Sequence, residues 1–149
     1  MRRKNLYAKH IALGVILLVA LCCSCSVQRT LNKRGDTSVA LVPDENFRRF
    51  LVEQGLAQPY SGKDKALAGN NEVVESTKLG RAIQVINCTD KGIKSMEGIE
   101  LFPELKILVC SDNPFQTIDL SHNPKLVQFT AAEVPLRSLD VSLNPELRQ

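Results

Sequence analysis

Histidine is almost missing from this chain of 149 residues, which has only His10 and His122. A nucleophile relay needs a base beside its nucleophile, and no second histidine stands near His122 to build one. There is no G-x-S-x-G turn, no phosphate-binding glycine loop and no pair of carboxylates that the sequence pattern would aim at one point. These absences argue against an enzyme. Two cysteines without nearby histidines, Cys88 and Cys110, do not make a metal site, and Ser61 to Glu72 lacks the D-x-D-x-D-G spacing of a calcium loop. No metal or cofactor is expected. A long apolar run is missing too: Ile11 to Leu21 would span roughly 16 Å as a helix, about half of a hydrocarbon core. No basic patch interleaved with aromatics appears, so no nucleic-acid partner is expected.

What is present begins with a leader. Met1 to His10 carries Arg2, Arg3, Lys4 and Lys9 without an acid, and the apolar run follows at once. Residues 1–24 read as a secretion signal, with an uncleaved membrane anchor as the alternative. The run ends in Leu21-Cys22-Cys23-Ser24-Cys25-Ser26, and a small residue before a cysteine at this place resembles the lipobox of bacterial lipoproteins. The position three before the cysteine holds Cys22 where that motif has an aliphatic residue, and Cys23 stands as the alternative anchor. The resemblance implies lipid attachment at Cys25, with a diacylglyceryl thioether and an acylated amino terminus, and more than one acyl chain gives a stable membrane anchor.

Removal of the leader takes four of the nineteen bases, leaving fifteen against sixteen acids, so the formal charge of +3 says little about partners. No acidic run of the kind that resembles a surface-export tag follows Cys25, which tilts the expectation slightly toward a periplasm-facing anchor over the cell surface. Residues 25–41 are polar without a sustained period and read as a flexible tether.

A helical cap is expected over residues 42–82. Asp44 suits an N-cap, Phe47, Phe50 and Leu51 recur at helical spacing, and Gly55 suits a left-handed stop. Ala57 to Asn71 reads as a loop and Glu72 to Leu79 as a second short helix.

From Ile83 the chain repeats itself. Phe115-Gln-Thr-Ile-Asp-Leu-Ser-His-Asn-Pro-Lys-Leu126 and Leu136-Arg-Ser-Leu-Asp-Val-Ser-Leu-Asn-Pro-Glu-Leu147 lie twenty-one residues apart. Ile83, Leu105 and Leu126 open three units, and Ile86, Leu108 and Phe129, then Cys88, Cys110 and Ala131, then Ile93, Phe115 and Leu136 follow in register. Met96, Ile118 and Leu139 continue the apolar set, with Leu120 and Val141 in the last two units. The units run 83–104, 105–125 and 126–146, with a partial fourth from 147, and the first is one residue longer. A unit of this length cannot bury its apolar side alone and must stack on its neighbours.

The pattern L-x-x-L-x-C-x-x-N-x-L resembles the leucine-rich repeat, and more narrowly the cysteine-containing, internalin-like repeats of gut and oral bacterial surface proteins. The resemblance covers Pro43 to Gln149 and includes the capping Pro-Asp-Glu-Asn-Phe. It implies an α/β solenoid with one short parallel strand per unit on a concave face, and protein recognition as the function. The ladder asparagine of such repeats appears only as Asn113, since Lys91 and Val134 hold its equivalents.

On that register the outward strand positions are Val85, Asn87 and Asp90 in the first unit, Ile107, Val109 and Asp112 in the second, and Gln128, Thr130 and Glu133 in the third. Ser111 is read as outward as well. Val85, Ile107 and Val109 make an apolar patch that a protein partner would meet. Asp90, Asp112 and Glu133 stack an acid in every unit, as a solvated rim or as a docking strip for a basic partner. Cys88 and Cys110 occupy one inward column, as stacked thiols or as a disulfide. Two further readings concern the whole chain: a structural envelope component that self-associates through its open carboxyl-terminal repeat, and a remnant of a longer adhesin.

Overall fold

A computed structural model describes residues 38–63 and 71–148, all within the unit Asp36–Gln149. The expected leader, both candidate anchors Cys25 and Cys23, and the tether up to residue 37 lie outside the described residues.

Strand β1 is Val39–Leu41, and helix α1 follows at Glu45–Glu53. Asp44 starts α1 from an extended conformation, and its carboxylate accepts from the Phe47 amide at 2.8 Å, satisfying one of the free donors of the first turn. Phe47, Phe50 and Leu51 are buried on one face, as the helical spacing requires. The stop is left-handed: Gly55 has φ +67°, and the Leu56 amide reaches back to the Leu51 carbonyl at 2.9 Å.

The cap is not made of helices alone. Strands β2 (Ala57–Pro59) and β3 (Val73–Ser76) stand where a loop and a helix are expected, and β1 is cut from the end of the expected tether. The three form an antiparallel sheet in the order β1-β3-β2, with Val39 opposite Glu75 and Gln58 opposite the same residue from the other side. The reason lies in Val73 and Val74, β-branched and fully buried, which a central strand accommodates better than a first helical turn. The second helix, α2, is displaced to Lys78–Ala82, where the Thr77 hydroxyl accepts from the Gly80 amide at 3.0 Å. A Cβ at Gly80 would strike the Leu56 carbonyl oxygen, so only glycine brings α2 this close to the chain leaving α1.

Beyond α2 each unit contributes one three-residue strand: β4 Val85–Asn87, β5 Ile107–Val109 and β6 Gln128–Thr130. They pair in parallel, in the order β4-β5-β6, with Val85 beside Ile107 and Ile107 beside Gln128. The central residue of each strand points inward, so Ile86 and Leu108 are buried and Phe129 is partly so. The bonding outlasts the strands: the Cys88 and Asp90 amides donate to Val109 and Ser111, and those of Cys110 and Asp112 to Thr130 and Ala132.

The extra residue of the first unit sits between Met96 and Ile99, where Glu97 and Gly98 take the place that Asp119 fills alone in the second unit. Gly98 has φ +107° and opens a 3₁₀ turn at Ile99–Leu101. Any Cβ there would collide with the side chain of Val42, itself fully buried, so the glycine is what admits the cap against the first unit.

Candidate partner-binding face

The outward side of β4-β5-β6 is shallow and mixed. Val85 is 53% exposed, and Ile107 and Val109 are half-buried beside it. Asn87 and Gln128 are exposed and Thr130 is half-buried. Asn87 is partly committed to its own turn, since its side-chain oxygen accepts from the Thr89 amide at 3.1 Å. Ser111, expected outward, is buried, and its hydroxyl accepts from the Ala132 amide at 3.0 Å, linking one unit to the next.

The acidic column has a backbone cause that the sequence pattern did not disclose. Asp90, Asp112 and Glu133 take φ of 54°, 56° and 55°, and they are the three described residues other than glycine with positive φ. The chain turns sharply after each strand, and aspartate tolerates that left-handed geometry better than most side chains, which accounts for Asp90 and Asp112 though not for Glu133. All three are exposed, so their carboxylates line the rim of the strand face.

Behind the strands, Asn113 acts as a hub. Its Nδ2 donates to the carbonyls of Cys88, Cys110 and Ser111 at 2.9 to 3.0 Å, and its Oδ1 accepts from the Ile93 amide at 2.9 Å and the Lys91 amide at 3.2 Å. Every bond closes inside the structure, so one buried amide joins the first unit to the second.

A second asparagine column lies on the opposite side, and here the sequence showed only the Asn-Pro pairs. Asn123 donates to the Ile99 and Phe102 carbonyls at 3.1 and 3.0 Å, and Asn144 to those of Leu120 and Asn123, both at 2.9 Å. The oxygens of these two amides are buried without a protein donor. The signal that would have found the column is the shared proline: Phe102-Pro103, Asn123-Pro124 and Asn144-Pro145 occupy one register.

Cys88 and Cys110 are free and buried. Their thiols face the next unit, Cys88 Sγ lying 3.7 Å from the Val109 carbonyl and Cys110 Sγ 3.5 Å from that of Thr130. Burial pushes both thiols up to about 12, so they stay protonated and inert. His122 is exposed, its Nδ1 3.0 Å from the Ser121 hydroxyl. Asp119 Oδ1 accepts from the Ser121 amide at 2.9 Å, which holds its carboxyl below the usual range. Asp140 and Ser142 repeat that bond at 2.9 Å one unit later without any histidine, which identifies a turn device rather than a relay.

No family model matches this chain, and no curated protein matches it. It is similar to several solved chains, among them the functional domain of InlJ from Listeria monocytogenes, described as including a cysteine ladder. The identity is 30%, the match covers 50% of this chain and 16% of that chain, and the TM-score is 0.47. Among the described residues no helix is long and apolar enough to cross a membrane.

Proposed function

We propose that this chain is a lipid-anchored envelope protein that binds a protein partner across the face formed by β4, β5 and β6. On this reading the units are leucine-rich repeats of a short α/β solenoid, the strand face is its concave side, and Cys25 carries the anchor. The observation that carries the reading is the exposure of Val85 next to Ile107 and Val109, in a sheet whose inward residues Ile86 and Leu108 are buried. An apolar centre rimmed by Asn87, Gln128, Thr130 and the acids Asp90, Asp112 and Glu133 is the layout of a protein-binding surface, with buried anchors inside and polar groups outside.

The test is photo-crosslinking from Val85 and Gln128 in the full chain, with Val52 on α1 as the control site. A partner crosslinked from the strand face, absent from the control and lost in V85D/V109D with unchanged circular dichroism, supports the reading. Equal crosslinking from all three sites would end it. For the anchor, Cys25→Ala should release the chain from membranes and remove the lipid mobility shift. Retention of both would move the anchor to Cys23, and membrane retention without the shift would move it to the leader itself.

A further inference from the structure

On the cap, two large apolar side chains stand in solvent: Val52 at the end of α1, 41% exposed, and Leu79 on α2, 55% exposed. The second has a local cause. Gly80 is the one buried residue of α2 and lies against the Leu56 carbonyl, so its neighbour Leu79 is left on the outer side. The two helices are tied together at this place, since the Thr77 hydroxyl donates to the Gly55 carbonyl at 2.7 Å and the Gly55 amide to that of Val52 at 3.0 Å. Two further observations say what meets this corner.

The first is where the chain enters it. The Ser38 carbonyl accepts from the Ser76 amide at 2.7 Å, one residue before the N-cap of α2, and the Arg81 guanidinium donates to the Ser76 carbonyl at 2.8 Å. Twelve residues separate Ser38 from the proposed anchor Cys25, a length that reaches at most about 45 Å in any conformation. The second is charge. Lys78 and Arg81 flank Leu79 and are exposed, and the segment leading to Ser38 carries Arg29, Lys33 and Arg34 against Asp36. Of the acids on these elements, Glu53 is exposed beside Val52, whereas Glu75 is taken up by Gln58 and Ser61 at 2.7 and 3.0 Å. Residues 83–149 have the opposite balance, nine acids against six bases. Anionic headgroups attract the corner and repel the repeats, each base close to such a surface giving roughly a fivefold gain in binding.

We infer that the α2 corner of the cap docks on an anionic lipid surface, with Leu79 and Val52 entering the headgroup boundary and Lys78 and Arg81 meeting lipid phosphates. The inference rests on the anchored reading of the chain and adds its orientation. The acidic repeats stand off the bilayer, which leaves β4 to β6 open to a partner.

The chain has no tryptophan, so Leu79→Trp and Val85→Trp each carry a single reporter. The full lipidated chain is placed in vesicles of phosphatidylcholine, alone or mixed equally with phosphatidylglycerol, with brominated acyl chains as the quencher. In the anionic mixture the Leu79→Trp emission should move to the blue and fall roughly twofold, with Val85→Trp unchanged. Lys78→Glu should reverse most of that fall while circular dichroism stays the same, and phosphatidylcholine alone should give none of it. Equal emission from the two sites in a chain that floats with the vesicles overturns the inference and leaves the anchor standing, whereas a chain that does not float overturns both. Quenching that ignores phosphatidylglycerol overturns the charge match. A blue shift that follows protein concentration instead of lipid would assign the corner to a second copy.

Discussion

Asp44 holds Lys94, fifty positions further along the chain: one carboxylate oxygen caps α1 through the Phe47 amide, and the other accepts from the Lys94 amide at 2.8 Å. Two residues on, Asn46 donates to the Gly92 carbonyl at 2.9 Å, so the start of one helix secures the bend of the first unit from both sides. Asp44→Ala removes a cap and a charge-assisted bond together and should cost about 2–4 kcal/mol by urea unfolding. Asp44→Asn keeps one acceptor and should cost about half as much. No loss in Asp44→Asn beside a full loss in Asp44→Ala would show that the second bond of the pair contributes nothing.

The two asparagine columns should differ in their sensitivity. Asn113→Ala strands the buried Ile93 amide and takes a donor from the Cys88 and Cys110 carbonyls, while the Ser111 carbonyl keeps the Asp90 amide, and is expected to cost about 3–5 kcal/mol. Asn123→Ala loses two donated bonds but also removes a buried oxygen without a protein donor, so about 1–2 kcal/mol is expected. Parallel denaturant melts of the two variants check the ranking, and a reversed order would refute the hub role of Asn113.

With thiols pushed up to about 12, only about one molecule in ten thousand carries a thiolate at pH ~8. Cys88 and Cys110 should resist a thiol reagent in the native protein and react fully in denaturant. Cys110→Ala copies what the third unit has at Ala131, and a loss of about 1–2 kcal/mol is expected from the smaller side chain. Fast labelling of the folded chain would contradict the packing of this column.

Burial pushes Glu100 above the usual carboxylate range, against the smaller opposing pull of its own and the Gly98 amide and of His122, with Glu97 adding to the rise. A carboxyl whose folded pKa lies above its unfolded value binds the proton more tightly when folded, so its burial penalty is full above the folded pKa and vanishes below the unfolded one. Glu100→Gln should therefore melt higher than the parent near pH ~7, and the gap should close as pH falls through the carboxylate range. Asp119, shifted the other way by the Ser121 amide, is common to both proteins and cancels in the comparison. A gap independent of pH would mean that Glu100 is not the titrating group.

How far the sequence could be read depended on the range of each signal. Helix α1 was legible because its cap, its apolar spacing and its glycine stop all act within one short stretch. The units were legible because one register recurs three times, and the inward and outward sides of β4 to β6 follow from simple alternation. The antiparallel sheet of the cap was not legible: β1, β2 and β3 are three or four residues long and are selected by partners as distant as Val39 and Glu75. At the candidate site, the exposure of Val85, Asn87 and Gln128 agrees with their assigned positions. Asp90, Asp112 and Glu133 were read as charge, whereas their shared property is a backbone angle, and Ser111 turned inward because a neighbouring amide needed its hydroxyl. Asn123 and Asn144 were visible only as companions of proline, since which carbonyls an amide meets depends on the unit before it.

Because β5 and β6, the Asn123 and Asn144 amides and the Glu104–Lys125 pair all keep a spacing of twenty-one residues, this part of the chain can change its length only in steps. Duplicating a whole turn of twenty-one residues would hand every side chain an equivalent neighbour, whereas adding one residue inside a turn would set Asn123 or Asn144 against the wrong carbonyls. Gly98 marks where a single extra residue was absorbed, through a left-handed angle beside Val42 that no later turn possesses. Growth by duplication would therefore run away from the cap, one complete turn at a time.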